Sequence, residues 1–397
     1  MTTSTAAVPT SEIDLYSDES IREPYEGYRE LRELGPVVWL EQSQAYALTR
    51  YAEVREANEN WRVFSSAEGV SLTPFVNSIL RGSTLGSDPP LHEHLRSVSG
   101  DRLTPRALRP MRERIADIAD HLVEELVERG SFDAVVDLAR VLPMTVVPDF
   151  IGVPADARGH LLAWAGAAFD VMGPDNSRCA HAMPLQGELF GYAARLAQSR
   201  DVEPGSLGAG ILDAVDSGRV DAAQAPGLLL DYLAPGLDTT IGSLGSAVWL
   251  FGRYPQQWDR VRTDPSIIPN AYNEVVRLET PVRGFSRITT KDTHVAGLPI
   301  PAGARVVLLW ACANRDERQF PAPDEFDVTR ENAASHVGFG YGVHGCAGQG
   351  LARLEGHALL TALASRVERF TVGEPVHVMN NVIRALASLP VTVTPAA

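Results

Sequence analysis

The sequence predicts a mainly α fold with a minor β region, on three observations. Runs with apolar residues at helical spacing cover most of residues 25–280. Alternating, β-branched segments are confined to 37–49, 282–311 and the last stretch of chain. A glycine-rich loop at 338–350, GFGYGVHGCAGQG, opens the last strongly periodic helix at 351–367.

The elements follow in chain order. Residues 1–12 read as a disordered tail, and 25–34 as a short amphipathic helix ended by Gly35-Pro36. Segments 37–40 and 45–49 form a hairpin, and 51–59 is helical. The stretch 65–87 lacks clean periodicity and reads as a loop with one short helix; long loops in compact domains are often functional. Asp88-Pro89-Pro90 starts a helix carrying His92 and Arg96, four apart on one face. Helices are expected over 115–129, over 133–151 with breaks at Pro143 and Pro148, over 157–172, over 184–200, and over 206–215 with Ser206 as N-cap. The longest helical candidate is 225–254, bent at Pro235, which cannot donate to the carbonyl of Asp231. Its apolar body holds Asp231, Asp238, Thr239 and Thr240, and buried polar groups need partners or a function. A helix over 266–280 carries Glu274 and Arg277. Strands are expected at 285–289, 293–296, 305–311, 376–378 and 391–393.

The chain has 397 residues, 45% of them hydrophobic, ample for a large core. A formal net charge of -15 makes nucleic acid an unsuitable partner. The N-terminal segment has neither a basic nor an apolar signal region, and no apolar run is long enough to span a bilayer. Three cysteines without pairing spacing suit a reducing compartment, so a cytoplasmic protein is expected. Against the acidic total, 95–115 holds six arginines and only Asp101 and Glu113 as acids: a solvated face, or a docking surface.

Cys346 sits at the start of the last helix, where backbone N–H groups and the helix dipole favour a thiolate. The glycines around it let the backbone approach something large and flat. Three other readings compete. A free cysteine is often a small buried hydrophobe. Gly340, Gly342 and Gly345 match GxGxxG, but no clear strand leads in and only about fifty residues follow, too few for a dinucleotide domain. Cys179, Cys312 and Cys346 are too scattered for a zinc site.

The full pattern, Phe339-x-x-Gly342-x-His344-x-Cys346-x-Gly348, resembles the haem-ligand loop of the cytochrome P450 family. Other motifs line up with it in order. Asp88-Pro89-Pro90-x-His92-x-x-x-Arg96 resembles the helix that contacts a haem propionate. Ala234–Thr240, APGLDTT, resembles the oxygen-activating helix, with Pro235 in place of the usual small residue. Glu274-x-x-Arg277 resembles the ExxR motif, and Arg330 in Phe326-Asp327-Val328-Thr329-Arg330 would complete its charged cluster. The resemblance runs from about Tyr25 to Leu389. It is finest toward bacterial members that oxidise para-substituted benzoates.

The resemblance implies a single haem domain over 13–397. Cys346 would be the axial ligand to the iron of haem b, and Phe339, Gly340, His344 and Gly348 would frame it. His92, Arg96, Arg287 and His336 would meet the haem carboxylates, which need cationic or N–H donors when buried. Asp238 and Thr239 match the acid–alcohol pair that handles protons. It implies a monooxygenase, with a peroxide-driven enzyme or a non-oxygenating one (coupling or isomerisation) as the alternative. The partners implied are O2, a small aromatic substrate, and an iron–sulfur ferredoxin with its NAD(P)H-dependent reductase. A monomer is expected.

For the substrate pocket the candidates are Arg81, Phe169, Met172, Asp231, Pro235, Val282 and Phe285. Residues 231, 235 and 239 share one helical stripe, with Asp231 roughly 12 Å from Thr239 at 1.5 Å per residue. Benzoate-oxidising relatives place neutral or cationic groups there. An ionised Asp231 would repel a benzoate unless Arg81 neutralised it. Either Asp231 pairs structurally, or it accepts a hydrogen bond from a phenol or amine.

Overall fold

The computed structural model describes residues 7–396. Helices dominate, and the sheets are small. The largest sheet has six strands, in the order Thr10–Ser11, Val37–Leu40, Ala45–Leu48, Arg305–Leu308, Phe285–Thr289 and Phe64–Ser65. Ala45–Leu48 pairs in parallel with Arg305–Leu308, Tyr46 opposite Val306. A second sheet places Pro390–Pro395 between Val367–Val372 and Ser131–Asp133.

The largest apolar core lies among the helices. Helix Gln349–Arg366, which begins just after Cys346, packs against helix Met111–Arg129 and against Ile268–Leu278. Its stripe of Leu351, Leu359 and Leu363 is buried. Among the described residues no helix is long and apolar enough to cross a membrane.

Glu274, Arg277 and Arg330 meet behind the cysteine loop. Arg277 donates to both carboxylate oxygens of Glu274, Nε at 2.7 Å and Nη2 at 2.8 Å. Arg330 Nε adds a third bond to Glu274 at 3.0 Å. Arg277 also donates to the carbonyls of Asn314 and Pro323, both at 2.8 Å. Glu274 and Arg277 are fully buried, so these charges depend on one another.

Several elements depart from the sequence reading. Of the expected tail, residues 1–6 lie outside the described residues, while Thr10–Ser11 is a strand on Trp39 and Leu40. The 225–254 helix is two helices, Ala225–Leu233 and Pro235–Arg253, separated at Ala234. Pro235 withholds the N–H that would continue the first, so the bend becomes a break. Helix Ser177–Ser199 starts seven residues early, because Asn176 caps it by accepting from Cys179 N at 3.0 Å. The first part of 133–151 is a π-helical stretch, Ala134–Ala139, and Pro148 lies inside the following helix Val141–Ile151. The strand at 305 stops at Leu308, and Trp310–Ala313 is a helical turn. The Ser206 cap is present, its hydroxyl accepting from Ala209 N at 3.1 Å.

Candidate active site

The glycines of the cysteine loop answer to steric demands. Gly340 and Gly342 both have φ of +68°, and a Cβ on Gly342 would stand 2.5 Å from the Asn58 carbonyl oxygen. Cys346 N donates to the carbonyl of Phe339 at 2.8 Å, closing the loop on itself. Of the three cysteines, Cys179 and Cys312 are buried and Cys346 is accessible. Its thiol faces a cavity of about 370 Å³. Burial pushes the Cys346 thiol up; the N–H groups of Gly348 and Gln349 and the charges of Arg96 and Arg353 pull against it. Burial outweighs the helix-start donors, so a bound cation would favour the thiolate here.

The polar groups around the cavity fit a haem. Arg96 and His344 line it, as do Phe339 and Gly348. Arg96 donates to the Gly345 carbonyl. His92 is behind His344, their ring centroids 4.3 Å apart. Both ring nitrogens of His92, Nε2 of His344, Nε2 of His336 and Nε1 of Trp310 are buried without a partner. So many unsatisfied N–H-bearing rings in one region call for acceptors, and two carboxylates are such acceptors. Burial holds His92 at about 4, His336 at about 3 and His344 at about 2, so all three are neutral N–H donors at pH 7. Arg287 is a second cation near His344, set back from the cavity that Arg96 lines. Burial lowers it to about 10, still charged at neutral pH, and its Nη1 donates to Ser286 O at 2.7 Å. His336 packs on Phe339, and its Nδ1 accepts from Gly338 N at 3.0 Å. Gly340 lies against the Trp310 ring, 3.5 Å from where a Cβ would sit.

Across the cavity from the cysteine loop, Asp238 and Thr239 face different ways. Thr239 lines the cavity and donates to Pro235 O at 2.8 Å. Asp238 points toward helix Leu161–Asp170, where a Cβ on Gly166 would lie 3.5 Å from its carboxylate. Burial raises Asp238 to about 7; Arg140 opposes this and Asp170 adds to it.

Phe169, Met172, Asp231, Pro235, Val282 and Phe285 all line the cavity. Arg81 does not. It is exposed and pairs with Glu68 at 2.7 Å, so it cannot neutralise Asp231. Burial raises Asp231 to about 7, opposed by the Thr84 hydroxyl and the charge of Arg96. The Thr84 hydroxyl completes no hydrogen bond by geometry.

Sequence reasoning missed Glu355, Tyr272, Ser243, Trp310, Thr84 and Gln186, which also line the cavity. Tyr272 and Ser243 share a hydrogen bond of 2.8 Å. Burial raises Glu355 to about 8, and its Oε1 has no partner. A signal for Glu355 exists in the sequence: it falls between Leu351 and Leu359 on a buried helical stripe, where a carboxylate does not belong.

Comparison with known proteins points one way. A family model described as cytochrome P450 matches residues 266–383. The cytochrome P450 CYP199A2 of Rhodopseudomonas palustris is 38% identical, covering 98% of this chain and 96% of its own. The solved structure of the Mycobacterium marinum cytochrome P450 CYP268A2 in complex with pseudoionone has a TM-score of 0.86 at 31% identity, covering 98% of this chain and 100% of that one. The cytochrome P450 CREJ in complex with (4-ethylphenyl) dihydrogen phosphate has a TM-score of 0.85 at 26% identity, covering 97% of this chain and 99% of that one.

Proposed function

The chain belongs to the cytochrome P450 family of haem monooxygenases, and on that premise we propose that it inserts one oxygen atom of O2 into a small aromatic substrate, by hydroxylation or O-demethylation. The observation that carries this reading is the sharing of one apolar-walled cavity by the Cys346 thiol and the Thr239 hydroxyl. Haem b, the family's cofactor, supplies the iron at which O2 is reduced and its atom transferred.

The protein's own groups do the rest. Cys346 would hold the haem iron through its thiolate sulfur. Arg96 and Arg287, with the neutral imidazoles of His92, His336 and His344, would hold the haem carboxylates by N–H donation. Thr239 holds a proton-bearing hydroxyl at the cavity wall. Asp238, near 7, can take and give a proton at neutral pH, outside the cavity wall that Thr239 lines. Phe169, Met172, Val282 and Phe285 give the cavity apolar walls, which suit an aromatic ring.

Electrons come from an acidic iron–sulfur ferredoxin and its reductase. Arg106, Arg109 and Arg112 are exposed, next to the cysteine loop: Leu108 Cδ1 lies 3.1 Å from where a Cβ on Gly350 would sit. Arg102 and Arg114 are committed elsewhere, to the Gly205 carbonyl and to Asp149. We place the enzyme in the cytoplasm.

The test is spectroscopic. The reduced, carbon-monoxide-bound protein should show the red-shifted band of a thiolate-ligated haem, and Cys346→His should lose it while staying folded. Turnover with a ferredoxin system, against turnover with peroxide alone, separates the monooxygenase from a peroxide-driven enzyme.

A further inference from the structure

Polar groups interrupt the apolar cavity wall at several places: the donors around the cysteine loop, Thr239, Gln186, the Ser243–Tyr272 pair, Glu355, and Asp231 with Thr84. Asp231 stands just before the break between helices Ala225–Leu233 and Pro235–Arg253. Thr84 comes from the loop after helix Pro74–Leu80. It is 92% buried (8% exposed), and its hydroxyl has no partner. Asp231 is half-buried, and the Thr84 hydroxyl lies near enough to pull its carboxyl down, yet that hydroxyl completes no hydrogen bond of ordinary geometry. Two polar groups from separate elements, loosely paired on a cavity wall, form a recognition point for a ligand donor.

The charge balance says what is recognised. Arg96 is the only arginine or lysine among the described residues lining the cavity, and it is drawn toward the cysteine loop by its bond to Gly345. Arg81 faces solvent against Glu68. A substrate carboxylate at Asp231 would therefore stand beside a second carboxyl with no cation of its own. A hydroxyl or amine on an aromatic ring meets the opposite situation, since a carboxyl oxygen and a threonine oxygen both accept. Asp231 and Thr239 line the cavity from the two helices on either side of the break at Ala234, so a ring between them can present one end to each.

The geometry points to Asp231 and Thr84 as an acceptor pair that selects aromatic substrates carrying a hydrogen-bond donor, a phenol or ring amine, opposite the group that is oxidised, and that rejects benzoates. This inference rests on the aromatic-substrate reading and narrows it. It also departs from the benzoate substrate expected from the finest sequence resemblance, on the strength of an acid at the cavity wall.

The experiment follows the haem spin-state change of the ferric, haem-loaded protein with three ligands of one shape: 4-methoxyphenol, 1,4-dimethoxybenzene and para-methoxybenzoate. In the wild type the phenol should bind about tenfold to a hundredfold more tightly than the dimethoxy compound, the effect of one buried hydrogen bond. The benzoate should bind most weakly. In Asp231→Leu the phenol should fall to the level of the dimethoxy compound and the benzoate should improve. Thr84→Val should weaken the phenol alone, by a smaller factor. Equal binding of phenol and dimethoxybenzene in the wild type, tightest binding of the benzoate, or a phenol preference that survives Asp231→Leu would each overturn the inference and leave the aromatic reading standing. Failure of all three ligands alike would instead remove the aromatic reading, and this inference with it.

Discussion

The hydroxyl of Thr239 donates to the carbonyl of Pro235, 2.8 Å away and one turn back. Pro235 begins its helix, so the Thr239 side chain bonds to a carbonyl of the helix's first turn, at the cavity wall. The same hydroxyl is the group proposed to hold a proton during oxygen activation.

Thr239→Ala should therefore separate consumption of reductant from formation of product. Reductant should still be used, hydrogen peroxide should accumulate, and product per reductant should fall by roughly 100-fold, the lower end of the range for a positioned proton donor. Unchanged coupling would remove Thr239 from the mechanism.

Glu274→Gln should weaken the fold itself. It strips the shared partner from Arg277 and Arg330, and breaking a buried ion pair from one side costs about 3–5 kcal/mol. Denaturant unfolding should show a lower midpoint. A conserved midpoint would mean that the carbonyls around Arg277 suffice.

Glu355 makes the fold sensitive to alkaline pH. Its folded carboxyl keeps its proton to about pH 8, whereas the ordinary value is 4.5. Between these values the native state binds the extra proton, so stability should fall as pH rises across the window, by at most about 1.4 kcal/mol per unit. Glu355→Gln should flatten that slope. Denaturation midpoints of both proteins at pH 5.5 and pH 8 check it; parallel slopes would refute it.

Reversing Arg106, Arg109 and Arg112 to Glu should slow reduction by a ferredoxin, about tenfold or more at low ionic strength, and flatten its salt dependence. Stopped-flow reduction against salt concentration measures this. An unaltered rate would return these arginines to an ordinary solvated face.

What could be read in advance was local. The Ser206 cap, the stop at Gly35 and the glycine loop around Cys346 each depend on a few neighbouring residues. What escaped depends on distant partners. Thr10–Ser11 and Ser131–Asp133 are too short to carry a strand pattern and exist because Trp39 and Val391 lie alongside them. Arg81 lies in a loop without periodicity, and nothing in its sequence says that Glu68 captures it. Trp310 follows an ordinary strand pattern, yet it turns into a helix and closes the cavity wall beside Phe285, ring centroids 5.3 Å apart.

The order of strands in the largest sheet also sets when this protein can assemble. Ala45–Leu48 finds its second neighbour only when Arg305–Leu308 exists, and Ser131–Asp133 finds its own only at Pro390–Pro395. A chain growing from its N-terminus must carry both strands with an open edge until its last quarter is made, and open edges invite pairing with other chains. Loop closures this long are slow to form. Loss of even the last eight residues would take away the central strand of the three-stranded sheet, so the C-terminus is a poor place for truncation and a sensitive place to probe the completion of folding.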